Sequence, residues 1–312
     1  MQYNKIKTFH SWKIAGLFIF LIFILFSCTV KFMVIEAPKS MPAPRVFDKK
    51  PRVALALGGG AFHGIAHFGV LKVLEDAGVP IDFIVGASAG SLVGCMYADN
   101  PHADSLLGLI KTTKAFNIFD FSLFRSSVGF VSGKKLQQFI RKNCKSENIE
   151  NTKIPFAAMV TDLTNGKSLT LYSGPLAPSV NASCAIPLVF EPVKMYGLIL
   201  VDGGVLNNVP ADIARASGAE VVIAVDVMAF YDSTCTIVNL AGVGLRSLAV
   251  VADHFKAPKL AMADLVISPN LSDIPYMSGK ENLEAYNEGE KAARAALPEI
   301  LAILKKKGIP CK

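Results

Sequence analysis

Apolar residues fall in two patterns along this chain. Some form short unbroken runs that suit strands buried on both faces, and others recur three and four apart as on one side of a helix. Arg52–Leu57 reads as a buried strand. It enters Gly58-Gly59-Gly60-Ala61-Phe62-His63-Gly64 at once. A helix follows, with Ile65, Phe68, Leu71, Val73, Leu74 and Ala77 on its apolar face and Gly78 and Pro80 ending it. Ile81–Val85 is the next strand, and it runs into Gly86-Ala87-Ser88-Ala89-Gly90 and then an apolar helical stretch. Strand, glycine loop, helix, strand, turn and helix fit within about fifty residues. That is a βαβ unit with two loops at the same strand ends.

The signal from Pro101 to Asn151 is helical but irregular, until Val131-Ser132-Gly133-Lys134 opens an amphipathic helix through Cys144. Pro155–Leu163 predicts a strand, with Thr161–Gly166 as a hairpin turn into a second strand, Ser168–Tyr172. Val180–Pro187 predicts a short helix stopped by Pro187. Leu198–Val201 is a strand running into Asp202-Gly203-Gly204, Asp212–Ser217 a helix, and Glu220–Val227 another buried strand. Glu281–Lys307 predicts a charged amphipathic helix, and no internal repeat is visible.

Length allows one large domain or two ordinary ones: the chain has 312 residues, of which 52% are hydrophobic. Net charge is +7, and Lys5, Lys7 and Lys13 carry three of those charges, which leaves a mild basic bias of +4. No cluster of Lys and Arg interleaved with aromatics points to nucleic acid. The three lysines precede an apolar run of 13 residues, Ile14–Phe26. A spanning helix needs about 20, so the run reads as a secretory signal ending in Leu25-Phe26-Ser27-Cys28. That tetrapeptide resembles the bacterial lipobox, in which the cysteine is lipidated and becomes the first residue of the mature chain. The alternative is an uncleaved signal anchor extended through Val30. Both place the rest of the chain outside the cytoplasm. Thr29 after the cysteine is, by resemblance to Gram-negative lipoproteins, compatible with the periplasmic face of the outer membrane. The expected organisation is a signal peptide over 1–27, a proline-rich lipid-anchored tether over 28–51, a main α/β domain over 52–275 and a C-terminal amphipathic helix packed on it over 276–312.

Cys95, Cys144, Cys184, Cys235 and Cys311 form no Cys-x-x-Cys pair and have no matching histidine spacing, so no metal site is expected. Gly86–Gly90 has the form of a nucleophile elbow, which exposes Ser88 at a sharp turn and at a helix N-terminus that favours negative charge. A Cβ at Gly86 or Gly90 is expected to collide with the neighbouring helix or strand. The same pentapeptide also occurs in ordinary strand-to-helix turns. The Gly58–Gly64 loop lacks the Gly-Lys-Ser/Thr ending of a phosphate loop and has Ala61 where a dinucleotide fingerprint needs its second glycine. Its better use is a row of backbone N–H groups facing an oxyanion, with a tight packing turn as the plain alternative. Asp202 can act as base to Ser88 without an intervening histidine, or it is a simple Asp-Gly turn. The rival triad is Ser88, Asp202 and His254, but His254 reads as mid-helix. His63 and His67 precede Ser88, the wrong order for an α/β-hydrolase, and His102 reads as a loop residue.

Four blocks together resemble the patatin-like phospholipases, in their bacterial branch. They are Leu57–Gly64 with Ile65–Leu71, then Gly86–Gly90, then Ala182-Ser183-Cys184-Ala185-Ile186-Pro187, then Val201–Gly204 with Asn207-Asn208-Val209-Pro210. The resemblance covers about Arg52 to Val227. It implies a three-layer α/β/α fold around a mostly parallel sheet, a Ser88–Asp202 dyad, and an oxyanion hole from the amides of Gly59, Gly60 and Ala61. It implies a phospholipid or lysophospholipid substrate and neither cofactor nor metal. Two positions depart from the family pattern, which has glycine at Ala61 and Arg or Lys at His63. A catalytically silent lipid-binding protein of the same fold is the second reading. The stretch Pro101–Val131, with Phe116, Phe119, Phe121, Phe124 and Phe130, is either a lipid-facing lid or core.

Overall fold

The computed structural model describes residues 33–34, 40–41, 43, 47, 49–112, 120, 130–229, 239–275 and 280–311. The Ile14–Phe26 run, Cys28, Cys235, most of the tether, and Phe116, Phe119, Phe121 and Phe124 lie outside these residues.

The described strands form one nine-stranded sheet: β1 (Met33–Val34), β2 (Val53–Leu57), β3 (Phe83–Ala87), β4 (Phe156–Asp162), β5 (Lys167–Leu171), β6 (Val193–Met195), β7 (Leu198–Asp202), β8 (Val221–Val225) and β9 (Leu265–Ile267). They lie in the order β1-β6-β7-β4-β3-β2-β8-β9, with β5 paired to β4 off that path. The block β4-β3-β2-β8-β9 is parallel, and the β4–β5, β4–β7 and β6–β7 pairs are antiparallel.

Helices cover both faces. Along β2 the large residues Val53, Leu55 and Leu57 enter one core, against Leu71, Leu74 and Val93. The small Ala54 and Ala56 enter the other, with Ala211 and Ala214. The period of two that splits them is that of a pleated strand buried on both sides. The first face carries α1 (Ala66–Asp76), α2 (Ala89–Asp99), α3 (Ala103–Thr112), α4 (Lys134–Asn143) and α5 (Leu176–Ser183). α6 (Ala211–Ala216) packs on the second, with Leu260 from the end of α7 (Leu240–Leu260). The tail forms α8 (Asn282–Lys306) against α1. Their backbones touch, since a Cβ on Gly69 would lie 2.2 Å from the Tyr286 carbonyl oxygen and one on Gly289 2.0 Å from that of Ala66.

One helix is displaced from its sequence reading. α5 ends at Ser183 instead of reaching Pro187. A proline ring clashes with the carbonyl four residues earlier, so Pro187 ends the helix at Ser183 rather than at its own position. Strand register decides the site. Ala158 and Met159 of β4 pair with both β3 and β5, and Val160, Thr161 and Asp162 pair with both β5 and β7. A strand has two edges, so β5 takes one and β3 and β7 share the other, tip to tip.

Candidate active site

Ser88 is the hinge between β3 and α2. Its φ of 50° and ψ of −124° put it in a backbone region that L-residues rarely occupy. The glycines either side allow the turn. A Cβ on Gly86 would sit 2.4 Å from the Gly90 carbonyl oxygen, and one on Gly90 would sit 2.2 Å from the Leu57 carbonyl oxygen. One therefore faces the helix and the other the strand. The Ser88 N–H donates to Ser183 Oγ at 3.1 Å. Its carbonyl accepts from Ser91 N at 2.9 Å, Leu92 N at 3.1 Å and Cys184 Sγ at 3.2 Å. Ser183 and Cys184 thus brace the turn. The sequence flags them as part of a motif block without giving them this task.

Asp202 closes β7. Ala87, just before the serine, is opposite Met159 of β4, and Asp202 is opposite Val160. The two strand tips meet there, and Ser88 Oγ donates to Asp202 Oδ2 at 2.6 Å. Asp202 Oδ1 accepts from Gly204 N at 2.7 Å, and the Asp202 N–H donates to the Ala185 carbonyl at 3.0 Å. Burial pushes the Asp202 carboxyl up to about 7, and the hydrogen bonds from Ser88 and Gly204 pull the other way. A carboxylate poised near neutral pH on a serine hydroxyl has the position and the basicity of a general base.

The glycine loop abuts this pair, because a Cβ on Gly59 would lie 2.9 Å from Ser88 Cβ. Its amides are not equivalent. Gly58 N donates to the Val225 carbonyl at 2.9 Å and Gly59 N to the Asn208 carbonyl at 3.0 Å. The His63 N–H closes a 3-10 turn over Ala61–Ile65 by donating to the Gly60 carbonyl at 2.9 Å. Among the described residues no acceptor takes the N–H of Gly60 or Ala61. Gly59 therefore leaves the expected set of three anion donors: its proton is committed to Asn208, and its own contribution is a close approach that a side chain would prevent. Ala61 holds φ 46°, a left-handed value that costs an alanine more than a glycine.

A model of the family described as patatin-like phospholipase matches residues 55–215. The chain belongs to the patatin-like phospholipase family. Over 183 residues it is 35% identical to patatin-like phospholipase domain-containing protein 6 of Mus musculus, a stretch covering 56% of this chain and 13% of that one. Over 192 residues it is 36% identical to an uncharacterised NTE family protein of Mycobacterium tuberculosis, covering 59% and 52%. It is 30% identical over 236 residues to lysophospholipase nte1 of Aspergillus niger, covering 74% and 15%. The chain thus spans between an eighth and about half of these relatives. VipD from Legionella pneumophila shares the fold, with a TM-score of 0.50 at 15% identity over 80% of this chain and 67% of that one.

Within this patatin-like frame the histidines take supporting or outlying places. His254 is exposed on α7, edge-on to Phe255 at 5.4 Å, while Ser88 bonds Asp202 directly. The triad through His254 is not assembled. His67 is fully buried, and desolvation lowers it to about 4. Its neutral ring donates from Nε2 to the Gly58 carbonyl at 2.7 Å and so steadies the start of the loop. His63 is buried with its ring nitrogens 3.3 Å from the Val227 carbonyl oxygen and 2.8 Å from that of Ile274. His102 is exposed. Cys95, Cys144 and Cys184 are buried free thiols, and burial followed by the charge of Asp202 pushes Cys184 up, which keeps it a donor to Ser88. Among the described residues no helix is long and apolar enough to cross a membrane. Phe130, the one described aromatic of the expected lid, is 46% exposed.

Proposed function

We propose that this chain is a serine acyl-ester hydrolase acting on phospholipid or lysophospholipid through a Ser88–Asp202 dyad. The observation that carries the reading is the direct 2.6 Å hydrogen bond from Ser88 Oγ to Asp202 Oδ2. The two uncommitted amides of Gly60 and Ala61 beside it support the same reading. Family membership supports a lipid ester as substrate, and the lysophospholipase of Aspergillus niger favours a lysophospholipid among the candidates.

In this mechanism Ser88 Oγ attacks the ester carbonyl carbon while its proton passes to Asp202 Oδ2. The carbonyl oxygen becomes an oxyanion and takes hydrogen bonds from Gly60 and Ala61. Asp202 then gives the proton to the leaving alcohol, and the C–O bond breaks to leave acyl-Ser88. A water attacks the acyl carbon, its proton moves to Asp202, and collapse of the second oxyanion returns the proton to Ser88 Oγ. The strained turn fixes the nucleophile before substrate arrives, so little reorganisation is left to the reaction itself.

The tether belongs to the same proposal. A lipidated Cys28 outside the cytoplasm would hold the site beside bilayer lipid and raise the local substrate concentration. Full-length and 52–312 proteins are to be assayed against short-chain esters, phospholipids and lysophospholipids. Ser88-dependent release of fatty acid, faster from a lysophospholipid than from a water-soluble ester, is the expected result. Equal rates for wild type and Ser88→Ala on every substrate would rule the enzyme out and leave a lipid-binding protein.

A further inference from the structure

Asn208 lies against both the glycine loop beside Ser88 and the turn that follows Asp202, and no part of the mechanism above uses it. It is buried in the loop between the Gly203–Val205 turn and α6. Its main-chain carbonyl accepts the Gly59 N–H at 3.0 Å, and its Nδ2 donates to the Gly59 carbonyl at 3.3 Å. Both polar groups of Gly59 are therefore held by one residue 149 positions away. Its Oδ1 lies against two glycines. A Cβ at Gly59 would come within 2.5 Å of that oxygen, and a Cβ at Gly204 within 2.6 Å. Nδ2 also reaches Met228 Sδ at 3.6 Å, on the segment that follows β8.

Gly60 and Ala61 follow Gly59 directly, so where their N–H vectors point depends on how the Gly59 peptide is held. Gly204 donates to the carboxylate of Asp202, so the other glycine against Oδ1 belongs to the turn that orients the base. We infer that Asn208 is a positioning residue, a strut that sets the anion-donating amides of Gly60 and Ala61 at a fixed spacing from the Ser88–Asp202 pair. Asn208 never touches substrate in this role. It acts through the Gly59 peptide on one side and the Asp202–Gly204 turn on the other. Asparagine is suited to the task because one flat amide offers a donor to the Gly59 carbonyl and a compact oxygen edge to the two Cα atoms. The inference rests on the dyad reading above.

The test compares wild type, Asn208→Ala and Asn208→Asp. Asn208→Asp keeps the shape but replaces the donor facing the Gly59 carbonyl with an oxygen. Three readouts are taken: kcat and KM on a soluble ester, Ki for a trifluoromethyl ketone that forms a tetrahedral anion on the serine, and the fraction of active sites by titration. A misplaced donor acts on the transition state, so kcat is expected to fall about 100-fold with KM within about threefold. Ki for the ketone is expected to rise in step with the loss in kcat/KM, with active sites still titrating near unity. A purely structural role would lower the titrated fraction and leave kcat and Ki per active site unchanged, and that result overturns the proposal. So would variants that match wild type in all three readouts. A wild-type protein with no Ser88-dependent turnover or ketone adduct would instead remove the dyad reading itself, a separate and recognisable failure.

Discussion

Ser88 and Asp202 lie 114 residues apart in the chain and 2.6 Å apart in the fold. Their meeting follows from the register of β4, which carries β3 and β7 on one edge with their C-terminal tips opposed at Met159 and Val160. β3 arrives parallel to β4 and β7 antiparallel to it. The antiparallel strand beside a parallel block is therefore what brings the carboxylate to the serine without a third residue between them.

The pH dependence of turnover follows from the base. In the proposed mechanism Asp202 must be ionised to accept the Ser88 proton, and burial raises it to about 7. Below that point kcat/KM is expected to rise about tenfold per pH unit, flattening above it. A rate profile on a neutral ester between pH 5 and 9 checks this, and a profile already flat at pH 5 would contradict it.

The same raised carboxyl sets a stability trend. Its folded value of about 7 lies above the roughly 3.9 of an unfolded aspartate. Between those values the folded state holds the extra proton, so the contribution of Asp202 to stability falls as pH rises from about 4 to 7 and stays low above. Asp202→Asn removes that penalty. Melting temperature is expected to rise on substitution at pH 8, by more than at pH 4, while activity is lost. An equal shift at both pH values would speak against a buried, strained ionisation.

Gly90→Ala tests the elbow. The added methyl would sit 2.2 Å from the Leu57 carbonyl oxygen, with backbone on the facing side and nothing flexible to yield. Overpacking of this kind costs about 1–3 kcal/mol or more. Thermal melts should show a clear loss, and an unchanged melting temperature would mean that β2 and α2 do not approach as closely as described.

Ala61→Gly runs the other way. Alanine at φ 46° is strained by about 1 kcal/mol relative to glycine. The glycine variant is expected to melt no lower than wild type and to keep or raise kcat, because the amide donor is retained. A large fall in kcat would show that the methyl group itself has a role.

Much of this arrangement was legible in residue order alone. The βαβ unit from Val53 to Ala87 shows in its apolar runs, and Ser88 and Asp202 each stand where an apolar strand meets glycine. The fate of individual N–H groups was not legible. Gly59, Gly60 and Ala61 each offer one backbone N–H, and only the fold brings the Asn208 carbonyl to the first of them. β6 and β9 were missed because each has three residues, too few for any alternation to register. The edge shared by β3 and β7 is a property of register between distant strands, which no local pattern encodes.

The central claim is that Asp202 alone activates Ser88. Wild type, Ser88→Ala, Asp202→Asn and His254→Ala are to be exposed to a fluorophosphonate and followed by intact mass and peptide mapping. One adduct is expected, on Ser88, absent from Ser88→Ala, slowed at least about 100-fold in Asp202→Asn and unchanged in His254→Ala. An adduct on another residue, or labelling that survives Asp202→Asn and is lost in His254→Ala, would contradict the account.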